Sequence, residues 1–542
     1  MVDTARYDRQ IRLWGEEGQT SIQSTSVCVL GSSGLSTEIL KNLILPGIKS
    51  FHIIDDAVVD ITDLGNNFFL EMDDVGKPRA EAVVRLLSEL NPSVKGSFSK
   101  QNPALVEKKD LLNYSIVIST CLPTSHLLPI ADFLFDSGVP LINARICGLF
   151  GYFRLSFNTH SVYNAHVEYP MHDLRLDQPL PEVLKLNAAN DLTKMSYTDH
   201  SHTPYLYLLL QALDAWREKT GDGNAFPKTY AERKQIVAIL MDWQRPDEKG
   251  IIDEQNFIEA KEAIPRALFP TKIPANVLTV FEHPLSNPEN LDENNANWFW
   301  ILAGALKLFV DQNGVLPLSG QLPDMTSDSK RYAELLNVYR NAALEDANSV
   351  YEFALFIKKT VVGSDIDSHF ITPHAVQQFC KNAAFISVQT GTNLKDEEAA
   401  GIEKILSVIE DPQLTEIPRR VDPLVWLVLS KAGDSFYAGK NRFPGTNGVP
   451  RAIDRDDLAK RVSQLIAATG NDDLIKRASE LVPQEAINEM VRYGASEPPA
   501  FSAVMGGIVA QEAIKLATHQ YLPVDNTFVL DAHSQNGKTI RL

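Results

Sequence analysis

The sequence predicts an α/β fold with a mostly parallel sheet, interrupted by a large, mainly α-helical insertion. Three observations predict it. Short apolar runs alternate with amphipathic helical segments over roughly the first 160 residues, and a β-α-β-α order implies parallel strands joined by crossover helices. From about His172 to about Leu481 the pattern changes to long, charged helices. A last helix and two short strands then return. The expected units are 1–168 and 482–542, which together form the α/β domain, and the insertion 169–481.

The elements follow in order. Ser26 to Leu30 is a short apolar strand ending at Gly31. Thr37 to Leu45 reads as a helix and stops at Pro46-Gly47, a strong breaker pair. Phe51 to Ile54 is a second strand, ending at Asp55. Ala80, Val83, Val84, Leu87 and Leu90 recur at helical spacing before Asn91-Pro92. Ser115 to Thr120, Pro140 to Ala144 and Gly148 to Phe157 are further strands. Tyr332 to Lys359 and Asp456 to Ala468 are amphipathic helices of the insertion. Ser502 to Ala517 is a helix whose Gly506-Gly507 pair allows close packing, and Thr527 to Asp531 and Thr539 to Leu542 are the closing strands.

Composition narrows the function. The 542 residues carry 51 basic and 69 acidic side chains, a net charge of −18, with 44% hydrophobic and 22% charged residues. These are ordinary globular values. An acidic chain without a basic cluster is poorly suited to nucleic acid or anionic membranes. The most apolar stretches, Tyr205 to Leu213 and Phe299 to Val310, are shorter than the ~20 residues a bilayer requires. Four scattered cysteines, Cys28, Cys121, Cys147 and Cys380, form no disulfide framework and no C-x-x-C pair. The expectation is a soluble protein of the cytosol or nucleus, its thiols packed and inert.

One turn carries chemistry. Gly31-Ser-Ser33-Gly34-Leu-Ser36 follows a strand and opens a helix, where N–H groups attract phosphate. Asp55 ends the next strand, a place suited to a ribose hydroxyl. The G-x-G-x-x-G pattern is degraded, because Ser33 and Ser36 stand at its second and third glycine places.

Longer motifs carry a resemblance. Tyr7-Asp-Arg-Gln-Ile-Arg-Leu-Trp-Gly15, Leu40 to Gly47, Gly65-Asn-Asn-Phe-Phe69 and Ala510 to Lys515 resemble the enzymes that activate ubiquitin-like proteins. Within them the chain is most similar, nearly end to end, to the regulatory subunits of heterodimeric neddylation-activating enzymes. The resemblance implies a Rossmann-like, ThiF-type adenylation domain, with the insertion as a catalytic-cysteine-like domain lacking its cysteine. Active members bind ATP and Mg, adenylate the modifier's C-terminal glycine and pass it to a cysteine. Measured against them, this chain has Ala57 in place of a second acid and Asn66 in place of a phosphate-binding arginine. Arg79 replaces a lysine, and Pro123 stands at or near a metal-binding aspartate. The implied reading is a pseudo-adenylation domain that binds no cofactor, with ATP and Mg held by a catalytic partner.

The same resemblance implies that Arg9 reaches ATP in the other adenylation domain, with Arg12 one turn on as a second candidate. A guanidinium delivered in trans offsets triphosphate charge in the manner of an arginine finger. It also implies a partner contact at His202 and along Asp324, Met325, Asp328, Tyr332 and Asn337. His200 and His202 are two apart and share no helix face, so no metal site is expected. The expected partners are a catalytic subunit, in a heterodimer, and a Nedd-type ubiquitin-like modifier. Two rival readings are a nicotinamide-dependent oxidoreductase, supported by Gly31, Gly34 and Asp55, and a free-standing modifier-binding scaffold.

Overall fold

The computed structural model describes residues 5–165, 172–292, 295–362, 371–409, 421–446 and 448–542. The chain divides into two compact units, Met1–Val162 with Val388–Leu542, and Tyr163–Ser387. The first unit opens with α1 (Asp8–Ser24), β1 (Ser26–Leu30), α2 (Gly34–Ile44), β2 (Ser50–Ile54), α3 (Asp63–Asn66), α4 (Arg79–Ser88) and β3 (Lys95–Ser99). It continues with β4 (Ile116–Ser119), α5 (Thr124–Asp136), β5 (Leu141–Cys147), β6 (Phe150–Ser156) and β7 (Thr159–Val162). The insertion carries α6 (Pro181–Ala189), α7 (Tyr197–Ser201), α8 (Tyr205–Thr220), α9 (Tyr230–Asp242) and α10 (Gln255–Ala267). Then come α11 (Ala275–Glu282), α12 (Trp298–Asn313), α13 (Ser329–Ile357) and α14 (Pro373–Lys381). After β8 (Ser387–Thr390), α15 (Leu394–Ser407), α16 (Pro423–Lys440), α17 (Arg451–Ala467), α18 (Asp472–Lys476) and α19 (Ala478–Leu481) follow. The chain closes with α20 (Gln484–Tyr493), α21 (Pro499–Thr518), β9 (Thr527–Asp531) and β10 (Asn536–Ile540).

The main sheet runs β10-β9-β6-β5-β4-β1-β2-β3. Pairings from β3 across to β5 are parallel, and those from β5 to β10 are antiparallel. A central parallel strand is buried on both faces, which explains the unbroken apolar run of β1. Val27 and Val29 join a core with α2, α4 and α21, while Cys28 and Leu30 join another with α5. Sequence patterning misses β3. Its Lys-Gly-Ser-Phe-Ser sequence lies at the sheet edge with no fully buried residue, so pairing with β2 defines it and hydrophobicity does not.

Helix α21 is long and apolar enough to cross a membrane by length and composition alone, which the sequence reading passes over. Here it is a core helix, with Phe501, Met505, Val509 and Ala513 buried. Gly506 is required for its approach to α2, since a Cβ there would lie 2.7 Å from the Glu38 Cβ, whereas Gly507 faces open space.

The expected end of the insertion is corrected. It closes at Ser387 rather than at 481, and 388–481 belong to the α/β unit. The reason is the core they serve. Leu424, Trp426, Leu458, Val462 and Leu481 share one apolar cluster with Phe150, Tyr152, Val529 and Ile540 of the sheet. Trp426 stacks on Phe150 with ring centroids 4.4 Å apart. Helical periodicity shows that a face is apolar and is silent about which core receives it.

Candidate functional site: a nucleotide crevice filled from within

Parallel register brings the candidate residues to one edge of the sheet. Leu30 aligns with Ile54 on one side and with Ser119 on the other. Gly31, Asp55 and Thr120 therefore emerge together, beside the N-termini of α2 and α5. This is the switch point at which doubly wound sheets bind nucleotides.

At the turn, Gly31 has φ +106°, and a Cβ would come within 2.9 Å of Cys121. Ser33 takes the N-cap place of α2, and its carbonyl accepts from Ser36 Oγ at 2.8 Å and Thr37 Oγ1 at 2.9 Å. The serine at the third glycine place thus bonds to the chain itself. A Cβ on Gly34 would lie 2.2 Å from the Asn66 carbonyl oxygen. Close approach is needed there, and the group that approaches is backbone.

Asp55 is buried and wholly engaged. Its Oδ2 accepts from the Ser32 amide at 2.9 Å and from the Ser32 hydroxyl, and its Oδ1 accepts from the Ala57 amide at 3.0 Å. Arg79, the first residue of α4, donates from Nη2 to Asp55 Oδ2 at 2.9 Å and from Nη1 to Asp63 at 3.0 Å. Its Nε also reaches Ser32 Oγ at 3.0 Å. Burial pushes the Asp55 carboxyl up, but Arg79 and these hydrogen bonds outweigh it and hold the group below its ordinary range. Burial likewise opposes the Arg79 charge, while Asp55 and Asp63 prevail and raise its pKa. The acid expected at a ribose is therefore spent on an arginine.

The remaining places are taken by residues that sequence reasoning missed. Asn66 receives the Glu497 amide on its Oδ1 at 2.9 Å, and Glu497 Oε2 accepts from the Leu35 amide at 2.7 Å. Pro123 occupies the N-cap place of α5. Beside it the Thr124 amide donates to Asp434 Oδ2 at 3.3 Å, and Asp434 also pairs with the Arg145 guanidinium and the Thr124 hydroxyl. No local signal marks Asp434 or Glu497. They lie more than 300 residues from the helices they cap.

Among the described residues no group of three His, Cys, Asp or Glu side chains is placed to hold a metal ion. Burial pushes the Cys28 and Cys121 thiols up to about 12, and raises Cys147 and Cys380 as well. None has the depressed pKa of a thioester-forming nucleophile.

On α1, Arg9 and Arg12 are both exposed. Arg12 pairs with Asp8 at 3.1 Å. Arg9 has no ion pair or hydrogen bond from its guanidinium among the described residues.

The insertion brings its two predicted segments together. The Asp328 amide donates to the His202 carbonyl at 3.0 Å, and Arg331 donates to the Asp199 carbonyl at 3.0 Å. Asp324, His202 and Asn337 are exposed, and Tyr332 is half-buried. Met325 is corrected as a contact residue: it is 7% exposed and belongs to the core with Leu206 and Tyr339. Asp328 is committed to capping α13, accepting from the Lys330 and Arg331 amides. His200 is buried against Glu254 at 2.6 Å, a satisfied core histidine.

The profile of the ThiF family matches residues 7–542. A Caenorhabditis elegans protein named NEDD8-activating enzyme E1 regulatory subunit is 42% identical, the match covering 99% of each chain. Proteins of the same name from Xenopus laevis and Danio rerio are each 36% identical. The Xenopus match covers 100% of this chain and 99% of the relative, and the Danio match 99% and 98%.

Proposed function

This chain belongs to the ThiF family, among the NEDD8-activating enzyme E1 regulatory subunits, and on that premise we propose how it serves the activating reaction. It forms a heterodimer with a catalytic subunit and binds no ATP or Mg of its own. The partner holds both, joins the C-terminal carboxylate of the NEDD8-type modifier to the α-phosphate of ATP with release of pyrophosphate, and takes the acyl group onto a cysteine as a thioester with release of AMP. This chain contributes Arg9 in trans and one wall of the assembly.

One observation carries the reading: the acid aimed at a nucleotide ribose, Asp55, has both oxygens engaged within the chain, one of them by Arg79. A ligand would have to break a buried ion pair to use it, which is costly. The nicotinamide-dependent reading needs the same carboxylate and meets the same obstacle.

Two surface features favour a partner chain. Arg9 is exposed, and Leu13, one turn further on the same helix, is exposed as well. Along residues 58–75, Val58, Ile61, Phe68, Met72 and Val75 are exposed, Phe68 at 80% and Met72 at 67%. Large apolar side chains exposed along one stretch of chain are what a protein contact surface requires.

The experiment is Arg9→Ala in the assembled heterodimer. A hydrogen bond to a charged group is worth ~1.5–3 kcal/mol, so modifier adenylation at limiting ATP should fall about 10- to 100-fold. Heterodimer affinity should stay the same, and Arg9→Lys should recover part of the rate. Unchanged adenylation would remove Arg9 from the ATP site.

A further inference from the structure

Both helix N-termini at the sheet edge of the first unit end on carboxylates from the last quarter of the chain. Asp434 meets α5 together with Arg145, and Glu497 meets α2. A helix N-terminus offers unpaired N–H groups and a partial positive charge, which is the environment that captures a phosphate. We propose that Glu497 is a resident anion: its carboxylate stands in for a nucleotide phosphate at the start of α2 and keeps the crevice closed and folded without a ligand.

Three contacts make the closure. Glu497 Oε2 accepts the Leu35 amide at 2.7 Å, one of the N–H groups that would otherwise face a phosphate. The Glu497 amide donates to Asn66 Oδ1 at 2.9 Å, which ties the segment before α21 to α3. The Asn66 carbonyl then lies over Gly34, 2.2 Å from where a Cβ would be, so backbone covers the turn. Asn66 thereby has a positive role. It holds the plug where an active relative is expected to place an arginine.

Competition completes the exclusion. Burial raises the pKa of the Glu497 carboxyl, against the pull of the Leu35 amide, Ser33 and Arg79. An incoming phosphate would have to displace this carboxyl from the Leu35 N–H. The proposal concerns this chain alone, so its failure would leave the heterodimer reading standing, and the reverse.

The test is thermal unfolding of the full chain, without partner, in pyrophosphate at millimolar concentration against sodium chloride of matched ionic strength. The wild type should show no pyrophosphate-dependent shift. Glu497→Ala, and the isosteric Glu497→Gln, should unfold at lower temperature and regain about 2 °C or more with pyrophosphate. Glu497→Gln carries the comparison if Glu497→Ala does not fold. A wild-type shift as large as that of the variants overturns the proposal, as does the lack of any shift in a folded variant.

Discussion

Replacing Arg79 with methionine is expected to destabilise the first unit by about 3–5 kcal/mol, the cost of breaking a buried ion pair from one side. Arg79 is 19% exposed, and it faces two acids, Asp55 and Asp63, at 2.9 and 3.0 Å. Methionine fills much of the same space and leaves both carboxylates without their cation. The loss should depend on pH in a defined direction. The folded-state pKa of Asp55 is depressed, so its contribution is present above the unfolded value of ~3.9 and disappears as pH falls through the folded value. Denaturant titration should show a constant gap between wild type and variant from about pH 5 to 8, narrowing in acid below about pH 4. A gap well under 1 kcal/mol at neutral pH would place Arg79 among weak, solvated surface pairs.

The second large effect is on assembly. Phe68→Asp should leave the isolated chain within about 0.5 kcal/mol of wild-type stability, because the side chain is 80% exposed. Its affinity for the catalytic subunit should fall about 30- to 1,000-fold, the range expected when an interface anchor worth ~2–4 kcal/mol is replaced by a charge. Titration calorimetry or sedimentation of the mixed subunits reads this directly. Undiminished affinity would move the contact surface away from residues 58–75.

What the sequence discloses here follows the range of each interaction. The strand before Gly31, the turn through Ser36 and the strand ending at Asp55 are local patterns of a few residues, and they stand where expected. Arg79 is visible in sequence as a departure from a family lysine, but its ion pair with Asp55 is not, because the two are 24 positions apart and only the fold joins them. Glu497 and Asp434 are less visible still. Each caps a helix more than 300 residues away, and neither lies in a motif. The insertion boundary and Met325 show the same limit. Amphipathic spacing marks residues that must be buried, and the core that buries them is a property of tertiary packing. The family itself was legible, since its motifs run from Tyr7 to Lys515 and do not depend on packing.

The most direct test is modifier-dependent exchange between ATP and pyrophosphate, run on the isolated chain and on its complex with the catalytic subunit. Exchange by the complex alone is the predicted result. Exchange by the isolated chain would contradict it, and would mean that the crevice closed by Asp55–Arg79, Asn66 and Glu497 opens to ATP.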